Sequence, residues 1–140
     1  MREVVVPWST KANAALLPIG AAVVLATMVG CAEERPLSDE QVCDELHAAL
    51  TSVGLSWPVA SQPVNEVQLR ELGERFEAIR DRTDGDMQTI LAAWLQGFDQ
   101  AVPYLVTGDQ DGFLENTDMD LQDQLHLSSN LLATRCGWTA

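Results

Sequence analysis

Residues 86–102 read DMQTILAAWLQGFDQAV, and their apolar side chains recur every three or four positions. That spacing is the period of an α-helix with one buried face. This is the most apolar of the segments with helical spacing, so we expect its helix to lie deepest in the fold. Trp94 and Phe98 are assigned to core packing rather than to a cofactor site. We expect Pro103 to bend or end the helix, because proline removes a backbone donor. The apolar positions are Met87, Ile90, Leu91, Trp94, Leu95, Phe98 and Val102.

Three further segments show helical spacing. Ser38 and Gln41 have the arrangement of a capping box, which begins a helix that runs to about Val53. Another helix spans about residues 65–82. A last one follows a turn at 107–112 and extends to about Arg135, with a break near 116–118, recapped by Thr117, as the alternative to a continuous helix. The alternating pattern of strands is missing from the sequence. The sequence therefore predicts an all-α fold, a small four-helix bundle over residues 38–140.

The segment between the first two helices is predicted to be a loop. Residues 55–64 contain Trp57-Pro58 and Pro63, and prolines remove donors and favour extended geometry in the residue before them. We expect Trp57 to cover the edge of the core as a lid. The alternative is that its ring serves as a platform for a ligand.

The N-terminal segment has the order of a secretory signal. Arg2 and Lys11 precede an almost wholly small or apolar run over residues 12–29, which is the order of charged region, apolar region and cleavage site. Residues 28–31, MVGC, resemble the lipobox of bacterial lipoproteins, whose usual form is Leu-Ala/Ser-Gly/Ala-Cys; methionine replaces the leucine here. The resemblance covers residues 1–31 only. It implies a diacylglycerol on the sulfur of Cys31 and cleavage before that residue.

This resemblance divides the chain into a signal peptide (1–30), a lipidated tether (31–37) and a helical domain (38–140). The mature protein would be exported and attached through its lipid to the outer face of the cytoplasmic membrane or elsewhere in the cell envelope, since two acyl chains anchor a protein durably. Two alternatives stay open. Ordinary cleavage after Ala32 would release a soluble secreted protein, and an uncleaved apolar run would remain as a membrane span.

The two cysteines other than Cys31 form an even pair. Disulfides persist in exported proteins, so we predict a bond between Cys43 and Cys136 that joins the first helix to the last. Closing so long a loop would stabilise the fold by about 4–5 kcal/mol. The alternative is two buried, unpaired thiols.

The chain is strongly acidic, with a net charge of −13, and every basic residue after Lys11 is an arginine. Removing residues 1–30 would take away two basic residues and one acidic residue and so make the charge one unit more negative. Such a charge repels nucleic acid and anionic head groups. Nucleic-acid binding is therefore excluded, and basic partners or cations are favoured.

Residues 107–118 resemble an EF-hand calcium loop over twelve positions. Aligning Gly112 with the glycine at position six of that loop places Thr107 first, Asp109 third, Asp111 fifth and Asp118 last. The resemblance implies a calcium site formed by Asp109, Asp111 and Asp118. The alternative is an Asx turn that leads into the last helix, where aspartates favour the helix dipole.

The sequence carries little else that points to chemistry. Asp44-x-x-His47 and Asp123-x-x-His126 resemble half of the ligand set of di-metal bundles, but the third helix has no glutamate to complete that set. We interpret both histidines as solvated or boundary residues. Nucleophile elbows and phosphate-binding glycine loops are missing from the sequence. We therefore predict no enzyme activity and no cofactor.

These observations favour a non-enzymatic interaction or scaffold module, attached to the membrane through Cys31 and acting on an envelope protein. The alternative function is weak cation binding by the 107–118 loop. An exposed apolar groove between helices, near Trp57 or Trp138, would support the interaction module. A uniformly charged surface would count against it.

Overall fold

The structure is a computed structural model that describes residues 35–138. The predicted signal peptide, the lipidation site Cys31, the cleavage site after Ala32 and residues 31–34 of the predicted tether lie outside the described residues. Of the tether, only residues 35–37 are described. Leu37 is half-buried, packs against the core, and donates its backbone N–H to the Arg82 carbonyl over 2.9 Å. The last residue of the predicted tether is therefore attached to the folded domain.

The described residues form five α-helices, one short 3₁₀ turn at Val59–Ser61 and no strand, which confirms the all-α prediction. The helices are α1 (Asp39–Ser52), α2 (Glu66–Asp81), α3 (Gly85–Thr107), α4 (Gln110–Asn116) and α5 (Met119–Cys136). Helix α3 packs against α2 and α5, and α1 packs against the same two helices, so the four long helices close a ring around one core. The short α4 packs on α3.

Side chains cap the helices where the sequence changes from loop to helical spacing. Ser38 Oγ accepts from the Gln41 N–H over 3.2 Å while Gln41 Oε1 accepts from the Ser38 N–H over 2.9 Å, which confirms the predicted capping box. Asn65 and Gln68 form an equivalent, unpredicted box at the start of α2. Each box satisfies two backbone donors that a helix start leaves without partners.

Of the two effects expected of Pro103, ending the helix does not occur, and the last helix also differs from the prediction. Helix α3 continues past Pro103 to Thr107 and ends at Gly108, whose φ of 71° is left-handed. Pro103 and Asp99, whose carbonyl loses its helical partner, both lie on exposed positions, where water can replace a lost hydrogen bond at little cost. The predicted fourth helix is two helices, α4 and α5. Asp118 caps the second of them, and Thr117 does not.

The core lies between α3 and its neighbours, as the apolar period of residues 86–102 predicts. Trp94 and Phe98 are 2% and 4% exposed, so both are core residues. Gly97 is buried between α3 and α5: a Cβ atom at this position would lie 2.6 Å from Leu125 Cβ. The two helices therefore approach closely there. The largest fully buried side chains are Phe76, Leu46, Leu50, Leu69, Leu72, Met87, Leu91, Leu132 and Val42.

A disulfide joins α1 to the last residue of α5. The sulfur atoms of Cys43 and Cys136 are 2.04 Å apart and the two Cα atoms 5.3 Å apart, which confirms the predicted pairing. The bond spans 93 residues of chain. It connects two neighbouring helices of the ring, so it closes the bundle covalently.

Candidate functional site

A cleft of about 770 Å³ opens between the loop that follows α1 and helices α3, α4 and α5. Its lining is mainly apolar and includes five aromatic rings. An apolar groove near Trp57 is the feature expected of an interaction module. The rings belong to Trp57, Trp94, Phe98, Tyr104 and Phe113, and the polar side chains that line the cleft include Gln62, Gln110, Gln122, Asp123, His126 and Ser129.

The loop after α1 places Trp57 at one side of the cleft. Gln62 holds this loop closed, because its side-chain oxygen accepts from the Ser56 N–H over 3.2 Å and its amide nitrogen donates to the Pro58 carbonyl over 3.2 Å. Trp57 is half-buried and packs against the core. Its ring centroid lies 5.7 Å from that of Trp94. Trp57 therefore covers the core edge, as predicted, and also lines the cleft.

Trp94 and Phe98 form the floor where α3 faces the cleft. Their rings stack with centroids 4.5 Å apart and an interplanar angle of 16°. The indole N–H of Trp94 donates to Ser129 Oγ on α5 over 3.1 Å. This hydrogen bond satisfies the one polar atom of a buried tryptophan and fixes the orientation of its ring.

Helix α4 forms the opposite wall, and two polar side chains hold it in place. Asp109 Oδ1 accepts from the Gly112 N–H over 2.9 Å and caps the helix. At its other end, Gln122 Nε2 donates to the carbonyls of Leu114 (2.9 Å) and Thr117 (2.8 Å). The ring of Phe113 on this helix meets Tyr104 of α3 edge-on at 5.7 Å.

The candidate calcium ligands are not gathered into one site. Residues 110–116 form a helix where the EF-hand comparison requires a loop. Asp109 caps α4, Asp111 lies in its first turn, and Asp118 caps α5 by accepting from the Asp120 N–H over 3.3 Å. Between residues 35 and 138, no group of three His, Cys, Asp or Glu side chains is placed to hold a metal ion. The geometry is that of the alternative interpretation, an Asx turn leading into a helix.

The two Asp-x-x-His pairs lie on α1 and α5, and both histidines are exposed. Only the pair on α5, Asp123 and His126, lines the cleft. His126 Nε2 lies 3.2 Å from Asn130 Nδ2, one turn along the same helix. Both histidines are therefore solvated residues, as the sequence analysis expected, and α5 contributes one imidazole and one carboxylate to the cleft rim.

The described side chains that line the cleft include an acidic residue but no arginine. Among the described residues that line it, Asp123 is the one carboxylate and arginine is absent. Five arginines form ion pairs with acidic residues elsewhere on the bundle; these pairs are Arg70–Glu66, Arg75–Glu71, Arg80–Glu77 and Arg80–Asp81, Arg82–Glu45, and Arg135 with Asp39 and Asp86. The cleft rim therefore carries net negative charge.

A second groove of about 950 Å³ runs between α2 and α3. It is larger than the cleft but less aromatic, since Phe98 is the one ring among its described lining residues. Its rim mixes both signs of charge, with Arg70 and Arg80 beside several carboxylates. Ligand sites are lined mainly by apolar and aromatic side chains with a few polar groups. The Trp57 cleft fits that description better.

Sequence reasoning found part of this site. The position of Trp57 beside prolines in a loop indicated a ring at the core edge. The positions of Tyr104 and Phe113 indicated nothing, because the cleft combines residues from four separate elements.

No helix within residues 35–138 is long and apolar enough to cross a membrane. No protein-family model, curated protein or solved structure matches the chain.

Proposed function

We propose that this protein is an exported bacterial lipoprotein whose helical domain is a non-enzymatic interaction module. Cys31 carries the lipid that attaches the mature chain to the outer face of the cytoplasmic membrane or elsewhere in the envelope. The order of charged, apolar and small residues before Cys31 supports export. A disulfide between Cys43 and Cys136 is consistent with an oxidising compartment.

The observation that carries the proposed binding role is the Trp57 cleft. Its volume of about 770 Å³ lies within the range of small-molecule sites, roughly 300–1,000 Å³. Aromatic rings form its walls, while polar side chains on α5 form its rim. An apolar recess with a polar rim on an otherwise acidic domain is the feature expected of a binding surface.

The polar groups of the cleft support binding rather than catalysis. A nucleophile needs a base within hydrogen-bond reach. The hydroxyl of Ser129 instead accepts from the Trp94 indole, and His126 has Asn130 as its neighbour. Asp123 and His126 are both exposed to solvent, which is unlike the desolvated setting of a tuned acid or base.

The anchor is tested by the intact mass of the protein purified from a bacterial host, with and without reductant. We expect the mass of residues 31–140 plus lipid, increased by two hydrogens on reduction. A mass that matches residues 33–140 without lipid would show a soluble secreted protein. A mass that includes residues 1–30 would contradict processing altogether.

The cleft is tested with N-phenyl-1-naphthylamine, an uncharged dye that fluoresces in apolar sites. Leu114 lines the cleft and is 51% exposed, so Leu114→Ala should weaken dye binding with little effect on folding. Val67 is 65% exposed on α2 and lies outside both grooves, which makes Val67→Ala the matched control. Equal dye binding by both variants and the unmodified protein would contradict a ligand site in the cleft.

A further inference from the structure

The charge of the cleft restricts the ligands that it can hold. Asp123 is the one carboxylate among its described lining residues, and none of these is an arginine or a lysine. An anionic ligand would therefore meet negative charge at the rim without a cation to balance it. The net charge of −13 on the chain adds a long-range field of the same sign.

The walls of the cleft favour a cation. Aromatic faces attract ammonium groups through the ring quadrupole, and Trp does so best. Trp57, Trp94 and Tyr104 all line the cleft. Trp94 is 2% exposed, and its ring stacks on Phe98. The half-buried rings of Trp57 and Tyr104 therefore offer the accessible faces. Asp123 on the rim supplies the opposite charge that a ligand ammonium requires.

We propose that the cleft binds a small molecule with an apolar body and a cationic nitrogen, an ammonium or quaternary ammonium group. This inference rests on the proposed binding role and adds the chemical class of the ligand. The apolar body lies against Phe113 and Leu114. The cationic nitrogen lies against the rings of Trp57 and Tyr104, near Asp123. The cleft volume of about 770 Å³ suits a free small molecule.

The test uses three probes that share one phenylbutyl body and differ in charge: 4-phenylbutyltrimethylammonium, 4-phenylbutanol and 5-phenylpentanoate. Their dissociation constants for the purified protein are measured by calorimetry at one ionic strength. We expect the cation to bind about threefold to thirtyfold more tightly than the alcohol, which is the range of cation–π energies. The carboxylate should bind more weakly than the alcohol.

Three variants locate the preference. Asp123→Asn should lower the ratio of cation to alcohol affinity by about twofold to fivefold, as expected for an exposed charge. Asp99→Asn makes the same change in net charge but lies on the α2–α3 groove, so it should leave the ratio unchanged. Tyr104→Leu keeps an apolar side chain and removes a ring that faces the cation, and it should also lower the ratio.

The outcomes separate this inference from the proposed function. If the alcohol binds and the cation binds no better, the ligand class is wrong while the binding role stands. If the ratio falls with Asp99→Asn and not with Asp123→Asn, the cation binds in the other groove and the inference is overturned. If none of the three probes binds and the naphthylamine dye does not bind either, the binding role of the cleft itself fails.

Discussion

Replacing Gly97 by alanine tests the closest approach between two helices of this bundle. Gly97 lies inside α3 and is buried against α5. An added Cβ atom would lie 2.6 Å from Leu125 Cβ and 3.2 Å from its Cα. Neither of these atoms is the end of a flexible side chain, so the two helices would have to separate.

Two opposing effects determine the size of the change. Alanine in the middle of a helix is favoured over glycine by roughly 0.5–1 kcal/mol, because glycine loses more backbone entropy on folding. Overpacking a well-filled core costs about 1–3 kcal/mol. We therefore expect Gly97→Ala to lower the free energy of unfolding by up to about 2 kcal/mol, in spite of the better helix former.

The matched control is Gly73→Ala in α2. Gly73 also lies within a helix, but its nearest neighbour to an added Cβ is Phe98 Cε2 at 3.7 Å, an ordinary contact distance. This variant should be more stable than the unmodified protein by roughly 0.5–1 kcal/mol. Urea denaturation followed by circular dichroism measures both, and the difference between the two variants isolates the clash at about 1–3 kcal/mol.

Equal stabilisation by the two substitutions would refute the packing described for α3 and α5. The consequence would extend to the candidate site. Leu125 also lines the Trp57 cleft, so a wider separation at Gly97 would change the shape of the cleft and the position of Ser129 relative to Trp94.

Three further outcomes are expected. Replacing Cys43 and Cys136 by serine should lower the free energy of unfolding by about 4–5 kcal/mol, because the bond closes a loop of 93 residues; identical urea midpoints for this variant and the oxidised protein would contradict the bridge. Asp109→Ala should cost about 0.5–2 kcal/mol and speed amide exchange in α4, whereas Asp109→Asn keeps the capping oxygen and should change little. Millimolar calcium should leave the melting temperature unchanged, because Asp109 and Asp118 already cap helices; a rise in melting temperature that Asp111→Ala abolishes would establish the calcium site instead.

The helical architecture could be predicted because its causes are local in the sequence. The apolar period of residues 86–102 specifies a helix and the face that it buries. The capping box at Ser38 marks the start of α1. The pair of Cys43 and Cys136 follows from an even count once Cys31 is set aside. For the helix and its cap, residue type and spacing determine the outcome. For the disulfide, the count of cysteines does.

The cleft could not be predicted, because it depends on how separate elements meet. Asp109 illustrates the difficulty, because an aspartate before Gly112 is compatible with a calcium loop and with a helix cap. The two differ in whether residues 110–116 form a loop or a helix, and the structure shows a helix. Phe113 reaches the cleft because that cap begins α4 where it does. The element that could not be predicted, α4, is therefore the one that forms a wall of the cleft.

The disulfide and the cleft are connected through two tryptophans. Cys136 is followed by Gly137, whose left-handed φ of 68° ends α5, and by Trp138, whose N–H donates to the Ala133 carbonyl over 2.8 Å. This turn brings the ring of Trp138 to 4.9 Å from that of Trp57, centroid to centroid. Trp57 in turn lines the cleft. The covalent bond that holds the end of α5 against α1 therefore also supports, through Trp138, the aromatic side of the candidate site.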